Sequence, residues 1–303
     1  MDDVIIKFIT LLLFNFFLIL PDNIIAHSDF PLSIGNFALP MALQPSPLFS
    51  FGQNIIEKDD RLFYINPIYY NGKNGRSSFV NELYLLYGLS DHASIFILFN
   101  IPAINKDNNM SSSGFGDTAV QAEYAYLNKQ TATSSLQLTA VGSIFLPSGM
   151  VNSMPQEVDI APHYPFTGNG SVSFFLGGTA NYTTINWYLF ASIGHLFTIT
   201  RDETKIGSTT VYQAGIGHNL RHFDDKVLLL LFELGASTAK RDILMGTVDP
   251  NSGGNSVYFG PSVYFSSKQF ILQTGIQVPI YQNLFGVQNK FSYVISTSVA
   301  YKF

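Results

Sequence analysis

The sequence of 303 residues contains no cysteine, few charged residues and no apolar run long enough to cross a bilayer as a helix. Each absence narrows the field. Lack of cysteine suits an exported chain that avoids stray disulfides, although many cytosolic proteins share it, so it leaves the compartment open. Lys and Arg total 16 against 21 Asp and Glu, a formal net charge of -5. Without a basic excess, nucleic acid is not an expected partner. Charged residues make up 12% of the chain, well under the roughly 25% of ordinary soluble domains. The longest apolar run, Phe8 to Leu20, is interrupted by Thr10 and Asn15 and is too short for a spanning helix.

What is present begins with that run. Pro21, Asp22 and Asn23 break it and Ala26 suits a cleavage site, so residues 1–26 read as an export signal. Its amino-terminal region is a poor one, because Asp2 and Asp3 offset Lys7; an uncleaved anchor is the alternative. An exported chain without a spanning helix is secreted, periplasmic or a barrel. Residues 27–59 show little periodicity and carry Pro31, Pro40, Pro45 and Pro47, which predicts an extended periplasmic lead-in. The domain of interest is then 60–303.

The other end of the chain bears on the choice among the three, although a soluble β-sandwich could end in the same way and the rest of the chain has to decide. From Phe291 onward, Phe291, Tyr293, Ile295, Thr297, Val299, Tyr301 and Phe303 share one parity; Ser292, Val294, Ser296, Ser298, Ala300 and Lys302 share the other. Side chains alternate across a strand, so one face is apolar and aromatic and the other small or polar. Its length fits a tilted crossing of a bilayer, with the apolar face toward lipid. Tyr301 and Phe303 at the terminus resemble the assembly signal of bacterial outer-membrane barrels, which makes outer-membrane lipid and the barrel-assembly machinery expected partners.

Eleven further strand-like runs precede it: 61–71, 78–88, 93–102, 117–127, 134–146, 171–182, 186–200, 209–220, 227–238, 256–266 and 269–281. Connections after even-numbered runs are short, at 89–92, 128–133, 183–185, 221–226 and 267–268. Those after odd-numbered runs include the longer 103–116, 147–170 and 239–255. Short periplasmic turns alternating with longer outer loops belong to transmembrane barrels. The expected fold is therefore all-β, a transmembrane antiparallel β-barrel of about 12 strands with both termini periplasmic. The first run is apolar on both faces, and its parity stays open.

Three stretches resemble one family of proteobacterial outer-membrane transporters, labelled "MetA-pathway of phenol degradation". They are Gly114-Phe-Gly-Asp-Thr-Ala-Val-Gln-Ala-Glu-Tyr-Ala-Tyr126, Gly168-Asn-Gly-Ser-Val-Ser-Phe-Phe-Leu-Gly-Gly178 and Gly275-Ile-Gln-Val-Pro-Ile-Tyr-Gln282, followed by the terminal strand. The resemblance implies passage of small molecules, hydrophobic or aromatic ones among them, through the barrel. Read physically, Gly114 and Gly116 permit a turn into a strand and Asp117 can bond nearby backbone N–H groups. No helix follows, so a phosphate loop is not indicated.

Catalysis finds little support. His92 falls in a short turn, His163 in a long loop, and His195 and His218 on the lipid parity; His218 and His222 have a zinc spacing only on a helix. No motif asks for a cofactor or metal, and an enzyme is not expected. Polar residues on the inward parity are the candidate lumen lining: Glu82, Gln121, Glu123, Gln137, Gln213, Glu233, Gln273, Gln277 and Lys302. Glu82, Glu123 and Glu233 are the mid-strand acids, and no basic residue shares their depth. In a twelve-strand ring Glu82 and Glu123 would face Glu233. They form either a polar filling or a constriction that favours cations over anions. The functional expectation is a passive channel for small-molecule solutes. Its rival is a non-conducting barrel whose long loops bind external partners; oligomeric state is left open.

Overall fold

The computed structural model describes residues 32–73, 76–107, 110–149, 171–201, 203–288 and 290–303, so the expected export signal and His163 lie outside the described residues. Twelve long strands form the body of the molecule. They are β1 (Arg61–Gly72), β2 (Arg76–Ser90), β3 (Ala93–Asp107), β4 (Thr118–Gln130), β5 (Ser134–Leu146) and β6 (Ser173–Thr184), then β7 (Trp187–Thr198), β8 (Thr209–Asn219), β9 (Lys226–Ala239), β10 (Gly254–Ser267), β11 (Phe270–Leu284) and β12 (Phe291–Lys302). Each pairs antiparallel with its sequence neighbours. β12 returns to β1, with Leu62 opposite Lys302 and Tyr70 opposite Val294. The ring of twelve strands is thus closed on itself.

Every predicted run falls on one of these strands. β3 departs most, because it continues past residue 102 to Asp107 and forms a hairpin with Met110–Gly114. A second small hairpin, Ile243–Leu244 with Thr247–Val248, sits in the connection after β9. The alternation of short and long connections is incomplete: only residues 73–75 separate β1 from β2, and the connection after β11, 285–290, is no longer than that after β8, 220–225. The ambiguous first strand now has a parity: Leu62, Asn66, Ile68 and Tyr70 are buried, while Phe63 and Ile65 point outward. Pairing fixes this, because a one-residue slip against β2 or β12 would reverse every side chain.

Outward positions around the ring carry large apolar residues, such as Leu85, Phe99, Leu176, Ile193, Phe232 and Ile276, all substantially exposed. A continuous apolar belt of this kind is a liability in water and the requirement of hydrocarbon. Toward the short-turn end, exposed Tyr124, Tyr126, Trp187, Tyr301 and Phe303 face outward where an interfacial girdle belongs. His195 and His218 also point outward, as expected. His195 Nδ1 lies 2.8 Å from Thr210 Oγ1, and the His218 ring packs 4.4 Å from that of Trp187. Among the described residues no helix is long and apolar enough to cross a membrane, and the crossing elements are the strands.

Candidate functional site

The inside of the ring is not empty. Residues 35–57, expected as part of a lead-in outside the barrel, run through its interior and correct that expectation. The reason is visible in their composition. Phe37, Leu39, Leu43, Phe49, Phe51, Ile55 and Ile56 are all buried, each 8% exposed or less. An aqueous linker has no use for so many large apolar side chains, and that density was the available signal in the sequence.

The luminal segment starts at the short-turn end. Leu32 N–H donates to Ala132 O, and Asn36 N–H to Ile185 O, both 2.9 Å, so each lies beside a short turn. Asn36 is clasped further by its Nδ2 to Thr184 O and by Asn219 Nδ2 to its Oδ1, each 3.0 Å. Two short 3-10 turns follow, Gly35–Phe37 and Met41–Leu43. The Glu57 carboxylate caps the second by accepting from Met41 N–H (2.6 Å) and Ala42 N–H (3.1 Å). Burial of Glu57 and its neighbour Asp60 push its carboxyl above the usual range, and the two N–H donors partly oppose this. Tyr264 OH lies 2.9 Å from both Leu43 O and Gln44 O, and Ser266 Oγ donates to Leu43 O at 2.8 Å.

Beyond Ser46 the segment reaches its apex at mid-barrel. Glu233, midway along β9, accepts from Leu48 N–H at 2.8 Å, from Phe49 N–H at 3.1 Å and from Ser50 Oγ at 3.0 Å. Gln213 on β8 binds the same stretch in the manner of a neighbouring strand. Its Oε1 accepts from Phe51 N–H (3.1 Å) and its Nε2 donates to Phe49 O (3.2 Å). Gln273 Nε2 donates to Ser46 O at 3.3 Å. Glycines make room for the apex. A Cβ at Gly177 would stand 2.8 Å from the Phe51 ring and 2.9 Å from Ile193 O, and Gly52 holds a left-handed φ of +85°.

The chain then returns along the opposite wall. Glu123 on β4 accepts from Asn54 N–H (3.1 Å), Asn54 Nδ2 (2.7 Å) and Gln121 Nε2 (2.7 Å), while Ser143 Oγ donates to Gln121 Oε1 at 2.7 Å. Tyr188 OH donates to Gln53 Oε1 (2.8 Å), and Ile56 N–H to Ser94 Oγ (3.1 Å). Asp59 N–H meets Gly88 O at 2.9 Å just before β1 begins.

The candidate lining residues therefore have individual placements. Gln121, Glu123, Gln213, Glu233 and Gln273 are buried around the luminal segment. Gln277 is 1% exposed, with no partner for its Oε1. Gln137 is half-buried and accepts weakly from Thr139 Oγ1 at 3.5 Å. Lys302 pairs with Asp60, 2.5 Å away, where the segment joins β1. Glu82 and Glu123 do not face Glu233 directly, as the ring order alone would have them. The segment lies between them; Glu123 and Glu233 are filled with its donors, and Glu82 is bonded to the wall through Asn66 Nδ2 at 2.8 Å. Sequence reasoning missed Ser94, Tyr188, Tyr264 and Ser266 as further anchors, because small hydroxyls and tyrosines on an inward parity are unremarkable without their partner. Asp117 of the Gly-x-Gly-Asp element bonds backbone as expected, but that of distant Gly149 at 3.0 Å.

No protein-family model matches this chain, and no curated protein matches it. Solved structures do. An outer membrane channel from Pseudomonas putida F1 matches with a TM-score of 0.64 at 12% identity, over 86% of this chain and 100% of that one. The NanC porin matches with a TM-score of 0.51 at 10% identity, over 80% of this chain and 100% of that one. At such identities the likeness speaks for the fold, which is that of outer-membrane β-barrels.

Proposed function

We propose that this chain is a bacterial outer-membrane channel for small solutes, closed at rest by its own luminal segment. The observation that carries the reading is the mode of attachment. Beside the burial of its apolar side chains, the segment is held by hydrogen bonds from its backbone to wall side chains, on Glu233, Gln213, Glu123 and Ser94, and not by a ladder. Bonds of this kind contribute about 0.5–1.5 kcal/mol each, and about 1.5–3 kcal/mol where a charge is involved. Such a seat can be vacated without breaking the barrel ladder. Solutes would pass by diffusion once it moves, with selectivity set by width and lining. The motif resemblance to the phenol-pathway transporters supports small, hydrophobic or aromatic solutes, and an apolar apex of Leu48, Phe49 and Phe51 suits them. Lipid and the barrel-assembly machinery are the partners that such a function requires.

The test uses the absence of native cysteine. Ser50→Cys places the protein's one thiol at the apex. In the otherwise native protein it should react slowly with a membrane-impermeant sulfonated thiol reagent. Adding Glu233→Ala and Glu123→Ala should speed the reaction on the order of tenfold or more. Equal rates in the two backgrounds would sink the reading of a displaceable segment. The filled lumen also favours a second reading, a non-conducting barrel that presents its loops; a conductance measurement on the purified protein separates the two.

Sidedness is part of the proposal, with the short turns in the periplasm. Trypsin added to intact cells should cut at Lys240 or Arg241, which are exposed in the long connection after β9, and spare exposed Arg221. Cleavage at Arg221 before the outer membrane is opened would invert the topology.

A further inference from the structure

We propose that Lys302 is a positioning residue for the luminal segment, a latch that acts through Asp60 and Glu57 on the 3-10 turn Met41–Leu43 once β12 has closed the ring. The latch rests on the reading of the segment as a displaceable closure, and adds the contact that secures it at the rim.

The relay has three links. Lys302, on the last strand, stands opposite Leu62 of β1, and its Nζ lies 2.5 Å from Asp60 Oδ2. The Asp60 carboxyl is within hydrogen-bond reach of that of Glu57. Glu57 in turn accepts from Met41 N–H at 2.6 Å and from Ala42 N–H at 3.1 Å. Those are the N–H groups that open the turn and find no partner inside it, so a fixed carboxylate is the acceptor they require. The turn itself is a cornerstone of the filling. Leu43 is buried in one cluster with Leu62, Leu86, Leu229, Tyr264, Ile271 and Ala300, drawn from β1, β2, β9, β10, β11 and β12. Displacing the turn therefore means opening that cluster.

Other charged groups at this rim are turned to other contacts. Asp59 Oδ1 accepts from Tyr87 OH at 2.7 Å, and the Arg61 guanidinium lies 5.7 Å over the Tyr87 ring. Asp91 Oδ1 accepts from the N–H of exposed Lys58 at 3.1 Å. The adjacent carboxyls of Asp60 and Glu57 thus have Lys302 as their cation. Burial and the Asp60 carboxyl already hold Glu57 above the usual carboxylate range. A group raised in the seated form favours seating while protonated, and that contribution is lost as pH rises through the raised value. An ammonium beside the pair limits the rise, so its removal weakens the seat more at high pH than at low.

Amide hydrogen exchange of the whole protein in detergent tests this, each variant being compared with the native chain at the same pH. Lys302→Gln should speed exchange at Met41 and Ala42 on the order of tenfold at pH 8 and by less at pH 5.5. Ile65 and Val299, paired in the β1–β12 ladder, should keep their native rates. Lys302→Arg, which keeps the charge, should restore slow exchange. In an Asp60→Ala background Lys302→Gln should have no further effect, since the lysine acts through that carboxyl. Native rates at Met41 and Ala42 in Lys302→Gln at pH 8 overturn the latch, and so does an equal acceleration at Ile65 and Val299, which would mean a frayed ring. In the native protein, protection at Met41 and Ala42 relative to Ile65 should fall between pH 5.5 and pH 8; constant relative protection overturns the relay even if no variant assembles. The Ser50→Cys reaction keeps the two readings apart. If the Glu233→Ala, Glu123→Ala pair speeds that reaction and Lys302→Gln leaves the turn native, the latch alone falls. If the alanine pair has no effect, the displaceable closure falls with it.

Discussion

Replacing residues 35–57 by a glycine–serine linker of equal length should raise single-channel conductance in planar bilayers on the order of tenfold. In the intact protein the apex packs into buried apolar clusters of the wall: Phe49 with Ile68, Tyr70, Val80 and Val294, and Phe51 with Leu98, Val141, Phe145, Phe175 and Leu196. A flexible polar linker has neither the apolar side chains nor the fixed backbone donors that seat the native segment. The ladder of the ring does not involve these residues, so a heat-modifiable barrel should persist, at a lower melting temperature because the apolar clusters lose Leu43, Phe49, Phe51 and Ile56. Unchanged conductance in a folded replacement would refute closure by the segment. Glu233→Ala with Glu123→Ala should give a smaller rise, since the apolar contacts of the apex remain.

Deleting Tyr301–Phe303 should lower outer-membrane abundance by roughly tenfold, with degradation in the periplasm. These residues close the ring at its short-turn end. Tyr301 stands between Phe63 on β1 and Phe270 on β11. Lys302 N–H donates to Gln269 O at 2.8 Å, and Phe303 N–H to Arg61 O at 3.1 Å. Without them, backbone groups on both neighbours face the membrane interface unpaired, which hydrocarbon does not tolerate. The ion pair from Lys302 to Asp60 is lost as well, freeing the point where the luminal segment enters β1. Quantitative immunoblots of outer-membrane fractions read the effect. A truncated barrel at normal abundance would show the terminus to be dispensable.

The twelve strands were legible because alternation is a local signal, repeated in each run and punctuated by turns. The inward direction of Glu82, Glu123 and Glu233 was legible for an energetic reason, since a carboxylate facing lipid at mid-depth is unfavourable. Their partners were not. Glu233 binds Phe49 across 184 positions of sequence, and Tyr264 binds Leu43 across 221. No periodicity marks a segment whose backbone N–H groups are satisfied one by one by side chains rather than by a ladder. Its prolines also fit an extended linker as well as they fit a path that bends through a barrel. Glycines 177 and 275, read in the sequence as parts of a family motif, turn out to be the floor on which Phe51 and Leu48 sit.

Both ends of the luminal segment leave at one rim, Leu32 beside the turn after β4 and Lys58 beside Asp91 in the turn after β2. The segment is thus a bight of chain pushed into the ring, not a strand threaded through it. Nothing topological prevents its insertion after the ring has closed, or its withdrawal afterwards. Its anchors are spread over strands made early and late in synthesis, from β3 to β11, so the complete seat exists only once the ring is whole. Barrel formation and lumen filling should therefore be separable events in refolding. The ladder would form first, and the burial of Phe49 and Phe51 would follow as a distinct, slower phase, because their long-range partners are brought together only when the ring is whole.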